Sequence, residues 1–98
     1  MSAKNPAIVG SLAALGLKAI EYRIAVDARK EAAAEFGEAC AKWKRKHRLG
    51  FIHKNSPEWD QMMKGLPEKV HTLIWRAKAD EKNARQRLFR ACRKVESA

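Results

Sequence analysis

Apolar residues recur along this chain with the alternating four-and-three spacing of a helix that buries one stripe. The upstream run is Ile8, Leu12, Leu15, Ala19, Tyr22, Val26, Arg29, Ala33, Phe36, Cys40, Trp43 and His47. The downstream run is Val70, Ile74, Ala77, Glu81, Ala84, Leu88, Ala91 and Val95. Such spacing, held over several heptads, marks a coiled-coil seam. Between the runs lies Asn55 to Val70, which holds two of the three prolines. Ser56 suits a helix cap with Pro57 at the first helical position, where a missing N–H costs nothing. A short helix over Glu58–Lys64 is predicted, closed by Gly65 in the left-handed conformation. Pro67 then opens the next helix behind Leu66, a poor cap, so the Leu66-Pro67 bond is expected near the surface of a bend.

Folding the chain about Asn55 pairs residues whose numbers sum to 110: Cys40 with Val70, Phe36 with Ile74, Ala33 with Ala77, Val26 with Ala84, Tyr22 with Leu88, Ala19 with Ala91 and Leu15 with Val95. The charged seam positions Arg29 and Glu81 then meet each other. A shift of one heptad would keep the apolar layers but leave both charges without a partner, so the pair can specify register. The predicted fold is all-α, an antiparallel two-helix hairpin, coiled-coil-like, with a short connecting helix. Its parts are a helix over 6–48, a connection with the short helix over 49–66, and a helix over 67–95.

Length and charge narrow the picture. Ninety-eight residues allow one domain, and two helices burying one stripe each leave little room for a large closed core. The net charge of +10 is unevenly placed: residues 1–41 carry five basic and five acidic groups, residues 42–98 sixteen and six. A positive half of this kind calls for a polyanion or an acidic protein surface as partner. Cys40 and Cys92 sit far apart in this register and lack CxxC spacing, so they read as small apolar residues in a reducing cytoplasm.

Lys4-Asn5-Pro6 opens the first helix, with Asn5 as cap. Ala7 to Leu17 is uncharged and mostly apolar, yet it runs into Lys18, Glu21 and Arg23 without a cleavage-site break and is too short to span a bilayer, so neither secretion nor a membrane is expected. Beside the seam, Leu17, Ile20 and Ile24 form a second apolar strip that a hairpin cannot cover. A second copy, giving a homodimer, or a different protein should cover it. Asp27 to Glu38 reads as a solvated face. Trp43 and His47 follow among Lys42, Lys44, Arg45, Lys46 and Arg48, and Leu49-Gly50 ends the helix.

The second long helix has a patterned outer face. Trp75, Lys78, Lys82, Arg85, Phe89 and Arg93 fall on one side at helical spacing, flanked by Arg76, Asn83, Arg87, Arg90 and Lys94. Aromatics among cations can stack on bases while neutralising phosphates. They are also the usual anchors of a protein interface, or they can simply cover the edge of the hairpin. All three readings stay open at this level. Chemistry has little to stand on. His47, His53 and His71 lack ligand-like spacing, Cys40 and His47 lie on one seam, and Glu58 and Asp60 suit the start of a helix. No phosphate-binding glycine loop occurs. No catalytic residue, metal or cofactor is expected.

The length, basic charge, helical character and the central segments Asn55-Ser56-Pro57-Glu58-Trp59 and Lys64-Gly65-Leu66-Pro67-Glu68 resemble those of the phage anti-RecBCD proteins, small basic accessory proteins of phage recombination. The resemblance implies a non-enzymatic bacteriophage protein of the host cytoplasm. It would bind the host RecBCD helicase–nuclease through the RecC subunit, protect DNA ends and favour phage recombination. It also implies recruitment of a host peptidyl-prolyl isomerase, for which Gly65, Leu66 and Pro67 are the expected contact. An X-Pro bond in a surface bend is what such an enzyme can turn, because uncatalysed isomerisation takes tens of seconds or more. A basic hairpin that binds DNA or RNA without sequence specificity is the alternative, and steep salt dependence would mark it.

Overall fold

The computed structural model describes the backbone of residues 6–97 and the side chains of residues 8–97; the expected Asn5 cap lies outside them. Three helices follow in order: α1 (Pro6–Lys46), α2 (Pro57–Gly65) and α3 (Glu68–Glu96). The long helices α1 and α3 pack along each other, and the short α2 packs against α1. The result is a rod measuring 65 × 20 × 19 Å.

The register is the one the charges predict. Arg29 Nε donates to Glu81 Oε2 at 2.8 Å, and Arg87 Nε lies 3.7 Å from Glu21 Oε2. Partners on α3 rise in number as those on α1 fall, so the helices are antiparallel. On α3 every predicted seam residue from Val70 to Val95 is buried or half-buried.

On α1 the predicted seam holds at some positions and fails at others. Ile8, Leu15, Tyr22, Val26, Arg29, Phe36, Cys40 and Trp43 are buried or half-buried, but Leu12, Ala19, Ala33 and His47 are exposed. Ser11, Lys18, Ala25 and Ala32 turn inward instead. At Leu12 the larger apolar neighbour was expected to point inward; the smaller residue does. Across the seam the buried residues of α3 are Ala77, Ala84 and Ala91, one per heptad. Ala32 and Ala25 come opposite the first two, and alanine facing alanine lets two backbones approach closely. Ala25 at 9% exposure and Ala32 at 4% are accordingly the most buried residues of the α1 shaft before Cys40.

Most bulky core residues lie at the bend. Cys40, Ile52, Met62 and Leu66 form a buried cluster against which Phe36, Trp43, Trp59 and Met63 pack. Met62 is fully buried. Three devices hold this end. Ser56 Oγ accepts from the Trp59 N–H at 3.1 Å and caps α2 behind Pro57. His71 Nε2 on α3 donates to the Met63 carbonyl at 2.8 Å, with its ring edge-on to Phe36 at 5.7 Å between centroids. Leu66 N–H bonds the Met62 carbonyl, closing α2.

Glycine does different work here from that expected. No described glycine has a positive φ; the left-handed residues are Arg48 (φ 54°) and Asn55 (φ 68°). Arg48 ends α1. Leu49 N–H reaches the Lys44 carbonyl at 2.9 Å and Arg48 N–H the Arg45 carbonyl at 3.2 Å, the paired bonds of a Schellman motif. Gly65 is instead the last residue of α2, and a Cβ there would collide with the indole Nε1 of Trp43. Its role is to let Trp43 lie against the backbone of α2.

Candidate functional site

The expected partner face of α3 is open. Trp75 is 70% exposed and Phe89 56%, so neither covers the edge of the hairpin. Arg76, Lys78, Lys82, Arg85, Arg87, Arg90 and Arg93 are exposed as well. Helical spacing sets Trp75, Lys78, Lys82, Arg85, Phe89 and Arg93 on one side, and Arg76, Asn83, Arg87, Arg90 and Lys94 on the other. No acidic residue occurs between Glu81 and Glu96. Among these cations Arg87 is paired, with Glu21, and Arg90 Nε donates to the Gln86 carbonyl at 3.4 Å. The positive charge of this face is therefore largely uncompensated among the described residues. A rigid helix presents it, so little ordering entropy is lost on binding.

The strip of Leu17, Ile20 and Ile24 is also open, at 63%, 59% and 63% exposure. It lies on the side of α1 turned away from α3. The two faces look in opposite directions, apolar on the back of α1 and cationic on the back of α3; Phe89, Arg90 and Arg93 share the open end with the strip, while Trp75 sits nearer the bend.

The bend is the third region. Pro67 is exposed, but the side chain of Leu66 is 6% exposed and belongs to the core. The Leu66-Pro67 bond thus lies at the surface on its proline side, while the Leu66 side chain, expected as part of the isomerase contact, is held in the core. Gly65 is exposed on the side away from Trp43. Trp43 does not stand out among the cations of the α1 terminus. It folds inward over Gly65, and His47 stacks on it at 3.9 Å between centroids. The aromatic that does project is Phe51, 83% exposed with His53 edge-on at 4.9 Å. Phe51 lies in a loop outside both apolar runs, so helical spacing does not single it out. A large apolar side chain beside Gly50, in a segment without periodicity, was the available signal.

The cysteines are free. Burial pushes the Cys40 thiol up, with the Lys44 charge pulling the other way, so Cys40 is held as a neutral core thiol. The Arg29 guanidinium is raised by its hydrogen bond to Glu81 and by that carboxylate's charge. Among the described residues, no group of three or more His, Cys, Asp or Glu side chains could hold a metal ion. No described helix is long and apolar enough to cross a membrane. The chain thus offers faces for contact: a cationic helix with two bare aromatics, a bare apolar strip and a packed bend. No protein-family model, curated protein or solved structure matches the chain.

Proposed function

We propose that this chain is a non-enzymatic accessory protein that binds a host protein assembly through the α3 face and alters its activity. The RecBCD helicase–nuclease, contacted at its RecC subunit, is the target that the resemblance implies. The observation that carries the reading is the exposure of Trp75 and Phe89 on a rigid cationic helix. Aromatic and Arg side chains are the usual anchors of protein interfaces, and these have no work to do inside the hairpin. Protection of phage DNA ends and a shift toward phage recombination would follow from binding.

Truncating an anchor of this kind typically costs about 2 kcal/mol or more. Trp75→Ala or Arg90→Ala should therefore weaken binding to RecBCD at least about tenfold. The functional test is an exonuclease assay on linear duplex DNA with purified RecBCD, with and without this chain and the isomerase. The expected result is a changed nuclease activity and a changed response to recombination hotspots. Pro67→Ala should remove the isomerase contact and leave helicity nearly unchanged, since Pro67 precedes the first residue of α3 and makes no side-chain cap hydrogen bond that Ala would lose.

The run of six cations from Lys82 to Lys94 without an acidic residue supports a second reading, sequence-indifferent binding of DNA or RNA. That reading takes over if RecBCD is untouched while bare duplex is bound with a steep salt slope.

A further inference from the structure

Four exposed residues on the back of α1 follow the seam rule a second time. Ala13, Leu17, Ile20 and Ile24 recur at four-three-four spacing on the side opposite α3. Charge does not enter this row until Asp27. Val9 is 51% exposed and extends the strip toward the N-terminus. Leu17, Ile20 and Ile24 are among the most exposed large apolar residues of α1, in a segment whose inward face is already satisfied by α3.

The row is symmetric about the point between Lys18 and Ala19. Pairing it antiparallel with itself sets Leu17 against Ile20 and Ala13 against Ile24, with each pair occurring twice. Self-complementarity of this kind is what a two-fold interface requires. It also matches large side chains to small ones in the outer layers. The flanks agree. Gly10 and Gly16 sit in the interior of α1, where each costs about 1 kcal/mol relative to Ala, and a Cβ at either would meet nothing within 4 Å in this chain. The hairpin itself therefore gives no reason for them; a second backbone lying close over the strip does. Charge permits the approach, since residues 1–41 carry as many acidic as basic groups. Pairing through α1 sets the two cationic α3 faces on opposite outer sides, as far apart as the assembly allows.

We propose that the chain forms a two-fold homodimer through this strip, with α1 antiparallel to its copy and the two α3 helices outermost. The dimer is a four-helix layer presenting two identical cationic faces. The proposal is independent of what those faces bind.

The test is the mass of the full chain by light scattering or equilibrium sedimentation. The expected result is twice 11.1 kDa for the chain itself, and half that for Ile20→Glu and for Leu17→Lys, with unchanged helicity. Both positions are exposed in the hairpin, so either variant should fold. Mixing the two variants should restore the dimer. The antiparallel pairing sets the lysine introduced at position 17 of one chain against the glutamate introduced at position 20 of the other, and leaves one Leu17–Ile20 layer intact. A parallel pairing would leave both introduced charges buried without partners, and the mixture would stay monomeric. A wild-type chain that remains monomeric at about 0.1 mM, far above the micromolar range of weak specific contacts, overturns the proposal. So does a mixture that fails to recover the dimer.

Discussion

The bend and the open end of the hairpin are built on opposite rules. At the bend, α2 and its connection add a third layer, and large side chains disappear inside it: Met62 entirely, with Cys40, Ile52 and Leu66 around it. At the open end only α1 and α3 are present, and what is buried there is alanine, at positions 25, 84 and 91, while Leu12, Leu17, Ile20 and Ile24 stay outside. Two helices touch along a line, so a bulky side chain on that line forces them apart and one beside it stays wet. Enclosing a Met or an Ile takes a third element. The bend therefore carries the hydrophobic stability of the chain, and the open end leaves most of the apolar residues of α1 outside, while Phe51 and Trp75 project from the bend half.

Met62→Ala should test that contrast most sharply. Removing a fully buried Met costs about 2–5 kcal/mol, whereas Ile24→Ala, measured in the monomeric Leu17→Lys background, should cost no more than about 0.5 kcal/mol. Urea midpoints of the two variants measure the difference, and similar losses would erase the distinction between the ends.

Gly65→Ala comes next. The added Cβ must displace the Trp43 indole, and overpacking of this kind costs about 1–3 kcal/mol. Tryptophan fluorescence should shift along with the melting temperature. The same change at Gly37, where a Cβ meets nothing within 4 Å, should raise stability by helix propensity alone.

Glu81→Arg sets two like charges in a half-buried layer of the shaft. It should lower the melting temperature, and exchanging the residues, Arg29→Glu with Glu81→Arg, should recover most of the loss. An exchange no better than the single change would mean that the pair does not set the register. Of opposite sign is Arg48→Gly. A non-glycine residue held at φ 54° is strained, and relief should add about 1 kcal/mol. Asn55→Gly should change little, because Asn tolerates the left-handed region.

The legibility of the fold in the sequence follows the same division. On α3, every residue that the four-and-three spacing names turns inward, although His71, Thr72, Ala79 and Cys92 are half-buried beside them. On α1, neighbouring uncharged candidates compete for the inward place, Leu12 beside Ser11 and Ala33 beside Ala32, and the spacing alone does not rank them. The bend core was hidden for a different reason. Ile52 and Met62 belong to segments too short to show a period, and their burial is decided by where the chain returns. The cationic face and the apolar strip were legible because exposure there follows from helical geometry alone. The seam placed Trp43 inward, but nothing local tells a tryptophan beside lysines that a glycine twenty-two residues later will make room for it.

The rod shape has a hydrodynamic consequence. A compact chain of this length has a radius of gyration of about 13 Å, whereas this one has 20.3 Å. Friction rises with elongation, so even a single copy should elute from a sizing column ahead of a compact protein of equal mass and mimic a larger species. Its tumbling should be anisotropic. Amide vectors in α1 and α3 lie nearly parallel to the long axis and should relax at the slow end-over-end rate, while those in the turned connection should also sense rotation about that axis.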